Sequence, residues 1–197
     1  MTRIVHSNRS FLARFRQDER GNLSIELVVM VPLLLVFTFG LITFFDAFAA
    51  KSTSARTATV VSDMVSRERD EITPAYLTGI QGLMGAMIES DDSPEFRLTA
   101  FTWDDAAQKY MVRWSQQRGN RYVHSHDSLN LISANLPTIR NGQRAVLLET
   151  WVDYEPLTKW GLEEATTFHH KLVAAQRFAP QLCWLGDPTA DPSTAVC

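Results

Sequence analysis

Three groups of residues in this chain have types and spacings that could do chemistry. The first is Gly21, Asn22 and Glu26, within the stretch ERGNLSIELVVMVPLLL. A cut after Gly21 would leave Asn22 with a new ammonium. Glu26 stands one helical turn further on, so its carboxylate could neutralise that amine, or the amine of an adjacent packed helix. In an apolar bundle an unpaired ammonium and an unpaired carboxylate are both costly, so the pairing would also set register. The plainer reading is an acid in a first helical turn, where the helix dipole favours it. The second group is His124 and His126, His169 and His170, with Asp104 and Asp105, which could offer imidazoles and carboxylates to a metal. The third is Cys183 and Cys197, the only cysteines.

The element that must position Glu26 is an apolar run. From Leu27 to Phe45 no residue is charged, and at the helical rise this covers roughly 28 Å, close to the thickness of a bilayer's hydrocarbon core. A core helix of a soluble protein rarely needs apolar residues on every face over such a length. Arg3, Arg9, Arg14, Arg16 and Arg20 outnumber Asp18 and Glu19 ahead of the run, which keeps the N-terminus in the cytoplasm and sends the rest of the chain outside. A signal peptide has the same basic-then-apolar order. AFAA at residues 47 to 50 offers a small-residue cleavage pattern, but the run is too long and starts too late, so a retained helix is expected. Pro32 lies inside it and is expected to kink it, a feature tolerated in membrane helices.

Beyond the membrane the helix should continue as an amphipathic stalk, with Ala58, Val61, Met64 and Val65 on one stripe. A second helix is announced by Thr73 as N-cap and Pro74 at the first helical position, with Tyr76, Leu77, Ile80, Leu83, Met84, Met87 and Ile88 on one face. ESDDSPE, residues 89 to 95, reads as a loop. EFRLTAFTW and KYMVRWS should form a hairpin around Asp104 and Asp105, with Tyr110, Val112 and Trp114 sharing one face and Met111, Arg113 and Ser115 the other. A short helix is expected around DSLNLISANL. RAVLLETWVDYEP then places Val146, Leu148, Val152 and Tyr154 on one strand face, with Pro156 ending the strand, and FHHKLVAAQRF supplies a last strand. The expected fold is α+β: a long N-terminal transmembrane helix continuing into a stalk, a second helix, and a small antiparallel sheet whose apolar face lies against one or both helices. The expected divisions are a basic cytoplasmic leader at 1–21, a transmembrane helix at 22–50, a helical stalk at 51–72 and an extracytoplasmic domain at 73–197.

These elements decide among the chemistries. None of the histidines has the H-E-x-x-H spacing that puts two imidazoles on one helical face, and the adjacent His169 and His170 on a strand would point to opposite faces. No metal site and no cofactor is expected. The chain has no phosphate-cradling glycine loop and no G-x-S-x-G elbow, so neither an enzyme nor a small-molecule substrate is expected; an envelope hydrolase would need a bound metal. The net charge is −3, more acidic still without the leader, and no basic patch interleaves with aromatics, so nucleic acid is not an expected partner. An oxidising compartment favours pairing Cys183 with Cys197, closing a loop of about 15 residues worth roughly 3 kcal/mol in the chain-entropy model. The alternative is two free thiols in a loose tail containing Gly186, Pro188 and Pro192. No C-x-x-C is present, which disfavours redox catalysis.

A basic leader, Gly21 at minus one, Glu26 at plus five and an apolar helix together resemble the type IV prepilin-like proteins. More narrowly, RGNLSIELVVMVPLLL is similar to the opening of the TadE-like family of tight-adherence (Flp) pilus assembly proteins, through Arg20-Gly21, Glu26 and Pro32. The strand ending Tyr154-x-Pro156 is similar to one common in that family. The resemblance implies a minor pilin or pseudopilin of the inner membrane, with its C-terminal domain periplasmic. Its partners would be the membrane, other pilin-like or Tad assembly proteins, and a prepilin peptidase acting after Gly21. Glycine there would let the backbone thread the peptidase site. Two features depart from the pattern: Asp46 at the outer end of the helix, and the length of the leader. The family and its TadG-like relatives include uncleaved members, so the alternative is a single-pass anchor carrying an extracytoplasmic binding or scaffold domain.

Overall fold

The computed structural model describes residues 22–88, 93–156 and 166–197. Helix α1 runs over Asn22–Arg67 and α2 over Pro74–Ile88. Strands β1 (Glu95–Asp104) and β2 (Lys109–Arg118) follow, then the short helix α3 (His126–Leu131) and strands β3 (Arg144–Tyr154) and β4 (Thr166–Ala175). The chain divides into two units, Met1–Phe45 and Asp46–Cys197.

In the first unit, α1 passes through Pro32. Proline there leaves the Val28 carbonyl without its usual intrahelical donor. The hydroxyls of Thr38 and Thr43 donate to the carbonyls of Leu34 and Phe39 at 2.8 and 2.9 Å, so polar side chains in the apolar run are satisfied by their own helix. This is a helix long and apolar enough to cross a membrane.

In the second unit the four strands form one antiparallel sheet in the order β2-β1-β3-β4. One face carries Phe96, Leu98, Ala100, Trp114, Val146 and Leu148, covered by Val61 and Val65 of α1 and by Leu77, Ile80 and Met84 of α2. Ala58, Val61 and Val65 are buried, as the stripe predicts, while Val60, off the stripe, is exposed. Thr73 caps α2, its hydroxyl accepting from the Tyr76 N–H at 3.2 Å. Leu83 is exposed rather than buried; the buried stripe of α2 is narrower than its apolar composition predicts.

Both faces of the sheet are covered, where the sequence pattern predicts one. The second face holds Phe101, Tyr110, Ala145 and Leu147 under Leu129 of α3 and Leu136. Tyr110 and Trp114 therefore sit on opposite faces, not on one. The cause is a bulge: the pairing register of β1 with β2 slips between Ala100 and Phe101, so Ala100 faces Trp114 while Phe101 faces Val112, and Arg113 is the extra residue. A one-residue slip turns over every side chain beyond it.

Cys183 and Cys197 are joined in a disulfide. The loop they close is tied to the connection between the helices: the Ile72 N–H donates to the Cys183 carbonyl at 2.8 Å, and the Leu185 N–H to the Ile72 carbonyl at 2.9 Å. Leu182 is buried in the core, and its carbonyl accepts from Trp114 Nε1 at 2.8 Å. Of the loop predicted at 89–95, residues 89–92 lie outside the described residues and Glu95 opens β1.

Candidate functional site

Two places in the molecule set a carboxylate among apolar residues. The first is the start of α1. Gly21 lies outside the described residues. Asn22 is the first residue of the helix. Glu26 is exposed, and among the described residues its side chain has no hydrogen bond or ion pair. Around and beyond it every large apolar side chain from Ile25 to Phe48 is exposed, Val28 to 72% and Phe48 to 64%. Further along the same helix, Ala58, Val61 and Val65 are buried instead.

Asp46 is the first charged residue after the run. The Tyr154 hydroxyl donates to its Oδ2 at 2.6 Å, and the Tyr154 ring stacks on Phe168 with centroids 5.5 Å apart. Burial, then the hydrogen bond to Asp46, pushes the Tyr154 phenol up to about 12, so it remains a donor at any physiological pH. Tyr154 is the last residue of β3 and Pro156 follows just outside the strand.

The second place is Glu149 on β3, on the opposite parity from Val146, Leu148 and Val152. It is 1% exposed. Arg97 of β1 pairs with it across the sheet, Nε donating to Oε2 at 2.8 Å and Nη2 donating to the same oxygen. His124 Nε2 donates to Oε2 at 2.9 Å. His169 Nε2 and Lys171 Nζ lie 3.6 and 3.8 Å from Oε1. Burial opposes the charge, but the hydrogen bonds from His124 and Arg97 outweigh it and bring the carboxyl down to about 2. Burial and the neighbouring Lys171 hold the His169 imidazole below its usual value.

Local structure explains how His124 arrives there. Its N–H donates to Ser115 Oγ at 3.0 Å, and its Nδ1 lies 3.0 Å from Ser128 Oγ. Ser128 belongs to the capping box that starts α3, in which the Ser128 N–H donates to Ser125 Oγ and the Ser125 N–H to Ser128 Oγ. The loop leading in is held by Glu95, which accepts from the Asn120 N–H at 2.8 Å and from Arg121 Nε at 2.5 Å. Gly119 is required at this crossing. Its φ is +111°, and a Cβ would fall 2.5 Å from Glu95 Cγ. Arg97 and Arg121 both lie over the Trp151 ring, at 5.2 and 5.0 Å from its centroid, and His169 stacks on that ring at 4.6 Å.

The other residues with chemical capacity are dispersed. His169 and His170 point to opposite faces, His169 to Trp151 and His170 to Ser54 Oγ of α1 at 2.9 Å. Asp104 accepts from the Ala106 and Ala107 N–H groups in the hairpin turn, and Asp105 accepts from Trp103 Nε1. Among the described residues no group of three or more His, Cys, Asp or Glu is placed to hold a metal. Glu149 is held by donors and its pKa is far below neutrality, which suits it to an ion-pair network and not to accepting a proton. One signal in the sequence pointed to its burial: AVLL ahead of it is apolar at both parities, the mark of a strand covered on two faces.

No family model, no curated protein and no solved structure matches this chain.

Proposed function

We propose that this chain is a structural or assembly subunit, a minor pilin or pseudopilin of the TadE-like kind, in a tight-adherence pilus system. Its N-terminus lies in the cytoplasm, the first part of α1 is held in the inner membrane, and the unit that begins at Asp46 is on the periplasmic side. The observation that carries this reading is the exposed segment from Ile25 to Phe48, with Glu26 at its start having no partner among the described residues. Lipid covers the apolar side chains without further help. It does not cover a carboxylate, whose cost in a membrane helix marks a role by default. An amine at position 22, on the same chain or on a neighbouring α1, would supply the missing charge one turn away. The folded unit supports the reading too: a domain built around the end of the same helix and closed by a disulfide suits an oxidising compartment.

Mass spectrometry of the protein extracted from membranes tests this directly. A chain starting at Asn22 is expected. A chain still carrying residues 1–21 would replace the reading with an uncleaved single-pass anchor bearing a scaffold or binding domain. Substituting Gly21 with a bulky residue should block maturation and leave the precursor in the membrane.

A further inference from the structure

The two edges of the sheet are finished differently. On β2 the bulge at Arg113 interrupts the edge, and Asn130 occupies the backbone of Tyr110, Oδ1 accepting from its N–H and Nδ2 donating to its carbonyl, both at 2.9 Å. These are the usual protections of an edge strand. β4 has neither. Its register with β3 is unbroken from Thr166 to Ala175, it contains no proline, and among the described residues no hydrogen bond reaches its backbone from the side away from β3. None of its residues is buried.

Beside this edge runs a groove of about 730 Å³ between β4 and α1, lined by Val60, Leu172 and Ala174 with Asp63 and Arg177. Contacts with α1 lie to either side of it along the strand: His170 with Ser54 at 2.9 Å, and the Arg177 N–H with the Ser66 carbonyl at 2.9 Å. The open stretch between them spans roughly 20 Å at the rise of a strand, enough for a short extended segment. Leu172 and Ala174 share the face turned to α1, while Lys171, with His169 and Val173, lies on the other.

We propose that β4 is a docking edge for an extended segment of a partner protein, which adds to the sheet as a fifth strand. Its backbone completes the unpaired groups of β4. Apolar residues at alternate positions of the segment enter beside Val60, Leu172 and Ala174, and an acidic residue on the opposite face stands across from Lys171. A second β4 fits poorly. It carries no acid of its own to stand across from Lys171. This inference does not depend on removal of residues 1–21 and stands for a mature subunit and an uncleaved anchor alike.

The test uses the full chain in detergent and a short synthetic peptide alternating valine and glutamate, read by amide hydrogen exchange. The expected result is a slowing of exchange by about tenfold or more across residues 166–175, with β2 unchanged. The same peptide with alternate backbone amides methylated should give no slowing. Lysine in place of glutamate should weaken binding roughly two- to fivefold, a preference lost in Lys171→Gln. No slowing, or equal slowing by the methylated peptide, overturns the proposal. Slowing at 166–175 that rises with concentration of the protein alone also overturns it, because the edge would then belong to a second copy.

Discussion

Glu26 and Glu149 are both acids set among apolar residues, and the molecule treats them in opposite ways. Around Glu149 the sheet and the loop before α3 bring Arg97, His124, His169 and Lys171 within 4 Å. Around Glu26 the described chain brings nothing. A buried charge satisfied within its own fold is a fact about folding. An acid left without a partner on an exposed apolar helix asks for something outside that helix, which makes it the stronger pointer to function. The difference is one of completion: among the described residues Glu149 has its charge balanced within its own fold, and Glu26 does not.

The sharpest way to break this comparison is to remove the satisfied acid. Glu149→Ala leaves the half-buried Arg97 with only the Tyr122 carbonyl as acceptor and takes the acceptor from His124 Nε2, and breaking such a network is expected to cost about 3–5 kcal/mol. For a unit of this size the Tm should fall by roughly 10 °C. Thermal unfolding followed by near-UV circular dichroism checks it, since Trp151 and Trp114 report the packing. An unchanged Tm would mean that the network is solvated and the contrast with Glu26 is empty.

Acid should produce a slightly smaller effect by the same route. The Glu149 carboxyl is lowered from an ordinary 4.5 to about 2, so the folded state binds its proton less readily than the unfolded chain. Its contribution is full above the unfolded value and is lost as pH falls from about 4.5 towards 2, amounting to roughly 3 kcal/mol. Urea unfolding across that range should show the decline in the native chain, and Glu149→Gln should flatten it. A decline of equal depth in the glutamine variant would assign it to other carboxylates.

Asp46 is the intermediate case: half-buried, with one neutral donor in Tyr154. Tyr154→Phe removes that hydrogen bond and keeps the stacking on Phe168, so a loss of about 1 kcal/mol is expected. A loss as large as that of Glu149→Ala would show that a single phenol does as much as the whole basic network, and the gradation would fail.

Much of this could be read from local patterns. The cap at Thr73, the buried stripe at Ala58, Val61 and Val65, the hairpin around Asp104 and the divergence of His169 from His170 all depend on residues within a few positions of one another, where helical or strand periodicity decides. Two features escaped. Arg113 as a bulge cannot be seen in KYMVRWS, because the slip is defined only against Ala100 and Phe101 on the paired strand. The burial of Glu149 depends on Arg97 and His124, 52 and 25 residues away, and on α3 covering a face that strict alternation left to water. Local period says which residues share a face only while the pairing register is unbroken. It does not say how many faces are covered.

The smallest change in stability should accompany the largest change in assembly. Glu26→Gln keeps the shape of the side chain and removes a charge that insertion into lipid disfavours, so membrane insertion should be equal or improved. The Asp46–Cys197 unit should unfold within about 0.5 kcal/mol of the native chain, as expected for a change that touches none of its contacts. Incorporation into the assembly, followed by co-purification with other pilin-like subunits, should nevertheless fall, because glutamine cannot neutralise an ammonium. Glu26→Asp retains the charge on a shorter arm and should restore part of the loss. If Glu26→Gln assembles as well as the native chain, then the unpartnered acid needs nothing from its neighbours, and the first helical turn with its dipole is sufficient reason for it.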